Sequence, residues 1–218
     1  ARVIVADFGV AGDGMAHPDL VDARQGEGTA DFLDGPAMSV ETALAAIAAG
    51  AAIVERERVA GLDVICTGEM GIGNTTSAAA LTAAFTGAPP EVVTGHGTGV
   101  EGAAFAHKVR VVEMALARHV ESGLAPIEVL ARLGGFEIAG LAGVILAAAA
   151  NRVPIVLDGY ITTAAALAAV AIAPGAREYL IASHRSVEPG HRTALTALGL
   201  DPLLDFGLRL GEGSGAAL

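Results

Sequence analysis

The chain has 218 residues, and its 13 Lys and Arg stand against 24 Asp and Glu, a formal net charge of −11 at pH 7. Only 17% of residues are charged while 53% are apolar, so the chain can bury a large core, and disorder and collagen-like repeats are excluded. The acidic balance lacks the basic stripe that nucleic acids and anionic membranes require, but backbone N–H groups can still bind small anions locally.

Mean hydropathy is +0.57, yet the best fully apolar run, Ile138 to Ala150, falls short of the roughly 18–20 residues of a membrane span. The longer uncharged stretch Gly159 to Ala176 carries Thr162, Thr163, Pro174 and Gly175, and both read as buried helices. With no basic segment leading into an apolar one at the start, and a lone Cys66 that cannot form an internal disulfide, the expected compartment is the cytoplasm. The chain opens at Ala1 directly into an apolar run and closes at Leu218 after a Gly-rich loop that resembles the start of a helix, so it reads as a fragment of a longer chain.

In chain order, a strand is expected over Arg2–Asp7, then a Gly-rich ordered loop from Phe8 to Gly35, then a helix over Val40–Arg58 capped by Ser39. A second strand, Asp63–Thr67, leads into a helix over Asn74–Phe85. Helices follow over Val100–Val120, over Ile127–Arg132 with Pro126 opening it, and over Phe136–Asn151. Strand Val153–Leu157, helix Ile161–Ala173, strand Tyr179–Ala182 and helix Pro189–Leu198 complete the series. This alternation predicts a single α/β domain over 1–218, a parallel sheet flanked by helices. Ligands of such sheets bind beyond the carboxyl ends of the strands, which directs attention to Gly68–Thr76, Asp158-Gly159 and Ser183–His191.

Gly68 to Thr75 has the glycine spacing of a P-loop, but Asn74-Thr75 stands where Lys and Ser or Thr are needed. A glycine-rich turn into a helix still presents N–H groups to a monophosphate or carboxylate; the alternative is a plain tight turn and a capped helix. A second such turn, Gly95–Gly99, leads into a helix carrying Lys108, the sole lysine of the chain. That lysine is either one surface residue in an arginine-biased chain or a point charge for a phosphate. Glu212 lies between Gly211 and Gly213, where thin backbone lets a ligand approach a carboxylate that could act as a general base. A solvated loop residue is the alternative, and Glu69 is open to the same two readings. His184, Glu188 and His191 lack the spacing of a metal site, and Cys66, inside a predicted strand, is expected to be buried and inert.

Gly-Glu-Met-Gly-Ile-Gly-Asn-Thr-Thr (68–76), Gly-x-Gly-Thr-Gly (95–99) with Lys108 downstream, Leu-Asp-Gly-Tyr (157–160), Ser-His-x-Ser-x-Glu (183–188) and Arg-Leu-Gly-Glu-Gly-Ser-Gly-Ala (209–216) occur together and in order. The combination resembles the nicotinate-nucleotide:dimethylbenzimidazole phosphoribosyltransferase family, which makes the lower ligand of cobalamin, and the resemblance runs across essentially the whole chain. It implies transfer of ribose 5-phosphate from nicotinate mononucleotide to a benzimidazole, with no cofactor and no metal. It also implies a homodimer and a Rossmann-like parallel sheet flanked by helices, with a small helical domain that is largely missing from this chain.

Position by position, the resemblance makes Glu212 the catalytic base. It places Gly71, Gly73, Asn74, Gly97, Thr98 and Lys108 around the ribose phosphate and Glu69 near the ribose. Gly159 and Ser186 hold the nicotinate, and Met70 and Leu210 form apolar walls for the base. Two alternatives stay open: a relative acting on another lower-ligand base, and a catalytically silent nucleotide binder.

Overall fold

The computed structural model describes residues 1–12 and 17–218. Every strand pairing in it is parallel. The strands are β1 (Val5–Asp7), β2 (Leu20–Asp22), β3 (Ile65–Cys66), β4 (Ile155–Leu157), β5 (Leu180–Ala182), β6 (His184–Ser186) and β7 (Leu204–Leu208). They sort into β1-β2, β3-β4-β5 and β6-β7 rather than one broad sheet. The last two sets join at Ser183, because Leu203 N–H donates to Ala182 O and Leu204 N–H to Ser183 O. This is an α/β fold of small parallel sheets and flanking helices.

The helices are α1 (Val40–Val59), α2 (Asn74–Thr86), α3 (Pro90–Val93), α4 (Gly102–His119), α5 (Pro126–Leu133), α6 (Phe136–Ala150), α7 (Tyr160–Ile172) and α8 (Pro189–Leu198), with a 3-10 turn at Pro174–Tyr179. Their starts follow local chemistry. The Ser39 hydroxyl accepts from Thr42 N–H at 3.1 Å, and proline opens α5 and α8, where the missing N–H costs nothing. Glycines in the left-handed region, Gly73 at φ +79° and Gly87 at φ +72°, bracket the alanine-rich α2.

Three strands escape the sequence pattern. Part of the Gly-rich segment is β2, paired with β1, while residues 13–16 of that segment lie outside the described ones. His184–Ser186 is too polar, and Leu204–Leu208 is interrupted by Gly207 at φ +64°. The segment expected to start a helix at the end of the chain instead closes turns, with Ser214 N–H on Gly211 O and Ala217 N–H on Gly213 O.

The core is aliphatic and alanine-rich, running through α2, α6 and α7 to β4. Small residues let these helices approach: a Cβ on Gly50 of α1 would lie 2.0 Å from Gly140 O, and one on Gly143 of α6 would lie 2.0 Å from Ile47 O. Cys66 corrects an expectation. It does lie in a strand, but β3 is the edge of its sheet, so the thiol is exposed and donates to Ala216 O at 3.2 Å. Among the described residues no helix is long and apolar enough to cross a membrane.

Candidate active site

Because β3, β4 and β5 run parallel and β6 follows directly on β5, the loops leaving their carboxyl ends gather on one side of the sheet. The loop after β3 holds Gly68, Glu69 and Met70; the one after β4 holds Asp158 and Gly159; the one after β6 leads from Ser186 to Glu188. The glycine-rich segment after β7 folds back onto the first two.

That return is built by a buried carboxylate. Asp158, 2% exposed, accepts from Gly213 N–H at 3.0 Å, Gly215 N–H at 2.8 Å and Ala216 N–H at 3.2 Å. The glycines let the backbones touch: a Cβ on Gly68 would sit 2.4 Å from Gly213 N, and one on Gly215 would sit 1.9 Å from His184 Nδ1. The result holds Glu212 in the left-handed region, φ +58°, with its N–H donating to Glu69 O at 3.3 Å and its side chain exposed. Among the described residues only Arg152, in the turn after α6, shares that conformation without being glycine.

Below Glu212 the carboxylates crowd. Asn74, at the start of α2, donates its amide to the Glu69 carboxylate. Burial raises the Glu69 pKa to about 7 against that hydrogen bond, and the neighbouring carboxylates of Glu137, Asp158 and Glu212 push it further the same way. Burial also raises Glu137, partly offset by backbone and Asn74 hydrogen bonds. A Cβ on Gly71 would meet Asn74 Nδ2 at 2.6 Å and Glu137 Oε1 at 3.0 Å, so Gly71 leaves room for this group. An acidic cluster of this kind favours a ligand that carries or develops positive charge.

One residue along α2, Thr75 faces the other half of the site. Lys108, only 8% exposed, donates from Nζ to Thr75 Oγ1 and to Gly95 O, both at 2.8 Å. The lysine is therefore held inside the molecule rather than on its surface. Burial lowers its pKa, opposed by the nearby Glu188. Gly97, at φ +54°, lies over it, 3.3 Å from Nζ to an added Cβ. The Gly97 N–H donates to Glu188 Oε1 at 2.9 Å, while Glu188 Oε2 is buried without a hydrogen-bond partner. A glycine turn beside an ammonium can serve as a cradle for a small anion, and here the Gly97 N–H is taken by the Glu188 carboxylate.

Thr98 is exposed at the turn's tip. Gly159 caps α7, and Ser186 Oγ accepts from Glu188 N–H at 3.3 Å. Met70 and Leu210 are 73% and 72% exposed, and Ile72 in the same loop as Met70 is also open, so the two loops carrying Glu69 and Glu212 present apolar side chains to solvent. Sequence reasoning missed Asp158 as the organiser of the Glu212 loop, and it missed Glu137 and Glu188 as neighbours. The signal for Asp158 was its position just after a strand, whereas Glu137, the second residue of α6, reads as an ordinary acidic residue in a helix's first turn.

Known proteins share this fold. A phosphoribosyltransferase family profile matches residues 1–218. This chain belongs to that family. The nicotinate-nucleotide–dimethylbenzimidazole phosphoribosyltransferase of Chloroflexus aurantiacus is 55% identical over 218 residues, 100% of this chain and 62% of the relative. The protein of that description from Roseiflexus sp. is 54% identical with the same coverage. The crystal structure of CobT from Thermus thermophilus matches with a TM-score of 0.95 at 48% identity, over 98% of this chain and 64% of that one. The chain thus spans about 62% of the length of the curated relatives it matches.

Proposed function

We propose that the protein carrying this chain transfers ribose 5-phosphate from nicotinate mononucleotide to 5,6-dimethylbenzimidazole, releasing nicotinate and forming α-ribazole 5'-phosphate. The observation that carries the reading is the placement of Glu212. The Asp158-bound loop holds it against the Glu69 backbone, and Asn74 and Thr75 at the head of α2 connect that carboxylate cluster to the Lys108 cradle. The relatives' names supply the two substrates.

The chemistry divides along the same line. Lys108, with the turn at Gly97 and Thr98 and the loop at Gly71 and Gly73, receives the 5'-phosphate. Gly159 and Ser186 receive the nicotinate, and the exposed Met70 and Leu210 side chains wall the flat base. Glu212 accepts the N–H proton of the benzimidazole, so the opposite ring nitrogen attacks C1' of the ribose. As that bond forms, the C1' bond to the pyridinium nitrogen breaks and its electron pair stays on nicotinate, which leaves without needing a proton. The reacting carbon passes through oxocarbenium character, which the Glu69 carboxylate stabilises from beneath while Asn74 holds it in place. Attack opposite the leaving group converts a β-linked donor into an α-linked product.

In this reading residues 1–218 form one α/β unit of a cytoplasmic homodimer; the lone Cys66, with no second cysteine in the sequence to pair with, fits a reducing compartment. Product analysis tests the reaction. Incubating the full-length protein with both substrates yields a base ribotide whose anomeric proton coupling reports the α configuration; a β product or none at all would refute the scheme.

A further inference from the structure

Gly159 and Ser186, both assigned to the nicotinate above, lie on different loops, yet one buried side chain ties them together. His191, 0% exposed in the first turn of α8, accepts at Nδ1 from Ser186 N–H at 3.0 Å. Its Nε2 is 2.9 Å from Thr163 Oγ1. That hydroxyl in turn lies 2.8 Å from Gly159 O.

The direction of every bond in this chain is forced. A carbonyl oxygen only accepts, so Thr163 Oγ1 gives its hydrogen to Gly159 O and accepts from His191 Nε2, which must carry the ring hydrogen. Nδ1 is then bare, as the Ser186 N–H requires. A second ring proton would sit on Nδ1 and face that N–H, and burial, helped by His184 and Arg185, pushes the His191 pKa down to about 3. The ring therefore stays neutral in one tautomer, a fixed strut rather than a titrating group.

We infer that His191 is a positioning residue of the nicotinate subsite, setting the distance between the Ser186 loop and the Gly159 turn through the relay Ser186–His191–Thr163–Gly159. The inference rests on the phosphoribosyltransferase reading. The two residues assigned to the ring come from the ends of different strands; Ser183 Oγ, donating to Asp158 O at 3.0 Å, ties those loops at their base, and the His191 relay ties them at Gly159 and Ser186 themselves. The Lys108 cradle meets it at Glu188, whose N–H donates to Ser186 Oγ at 3.3 Å and whose backbone O accepts from His191 N–H at 3.1 Å, and a change confined to the Thr163 side leaves both of those bonds in place.

Two variants cut the link between His191 and Thr163 and leave the Ser186 bond in place. Thr163→Val keeps the shape without the hydroxyl, and His191→Asn retains an acceptor near the Nδ1 position but cannot reach Thr163. Calorimetry on the full-length protein would titrate nicotinate and, separately, inorganic phosphate. Each variant should weaken nicotinate about tenfold, equivalent to about 1.4 kcal/mol, with phosphate affinity unchanged. The double variant should be no weaker than either single one, and Thr163→Ser, which restores the hydroxyl, should recover wild-type binding.

Thr163→Val matching wild type, or nicotinate and phosphate affinities falling together, would overturn the relay. Multiplied effects in the double variant would do the same. Wild type that binds neither probe would instead bring down the phosphoribosyltransferase reading, and the relay with it.

Discussion

The carboxylate of Asp158 and the backbone N–H of Gly215 meet at 2.8 Å across 57 residues of sequence, and this bond, with those to Gly213 and Ala216, places Glu212. Under the proposed reaction, catalytic geometry depends on a carboxylate that need not touch substrate. Asp158→Asn leaves one acceptor oxygen and turns an amide N–H₂ toward backbone donors, so it should cost about 2–3 kcal/mol of stability by the usual worth of hydrogen bonds to charged groups. Turnover should fall with it, since the loop carrying Glu212 loses its anchor. Urea unfolding and steady-state rates check both; a stable, fully active variant would free the loop from Asp158.

Glu212→Gln removes the proton acceptor while keeping size and loop conformation. Turnover should drop by about two to four orders of magnitude, the usual span for a positioned base, with the Kd for nicotinate mononucleotide preserved. Loss of donor binding in step with rate would move Glu212 from proton transfer to binding.

Lys108→Met keeps the aliphatic stem and deletes the charge. With Thr75 Oγ1 and Gly95 O losing their donor, the Kd for nicotinate mononucleotide should rise at least tenfold, while free nicotinate, which has no phosphate, binds as before. Equal weakening of both ligands would contradict a phosphate role.

Glu69 makes a pH prediction whose sign can be worked out. Its folded pKa is raised from 4.5 to about 7. Below pH 4.5 folded and unfolded chains both carry the proton, whereas between 4.5 and 7 the folded chain holds it more tightly, so stability declines as pH rises through that window. Glu69→Gln stays neutral throughout. Relative to wild type it should gain on the order of 2 kcal/mol in unfolding free energy between pH 5 and pH 8. A gain that does not change with pH would mean that Glu69 ionises normally.

Gly68→Ala tests the backbone contact between the two site loops. An added methyl would lie 2.4 Å from Gly213 N, and rigid backbone cannot yield as a side chain would. The loops must separate, so the variant should lose turnover more than tenfold while the distant α1–α6 packing is retained. Hydrogen exchange confined to residues 68–73 and 211–216 would locate the change.

Much of the architecture was legible because it rests on local chemistry. Ser39, Pro126 and Pro189 mark the starts of their helices, and the strand-to-helix alternation gives the parallel α/β class. The strands were harder. Leu20–Asp22 lies within a Gly-rich segment and His184–Ser186 is polar, so neither carries the β-branched run that marked Ile155–Leu157 at the same length of three residues. Cys66 failed for a related reason, since a strand's burial depends on whether it is an edge, which topology alone decides. Lys108 shows the reverse: as the sole lysine it invited attention, but only its contacts with Thr75 and Gly95 separate a buried ligand group from a surface charge. Asp158 was visible only as a residue following a strand, because its partners lie 55 to 58 positions away.

Whether Glu212 and the Lys108 cradle serve one glycosyl transfer is tested most directly by nicotinate release from nicotinate mononucleotide in the full-length protein, with and without 5,6-dimethylbenzimidazole. Release should require the base, match base ribotide one for one, and be largely abolished by Glu212→Gln. Donor that binds without yielding nicotinate, or release indifferent to the base and to Glu212, would contradict a shared site.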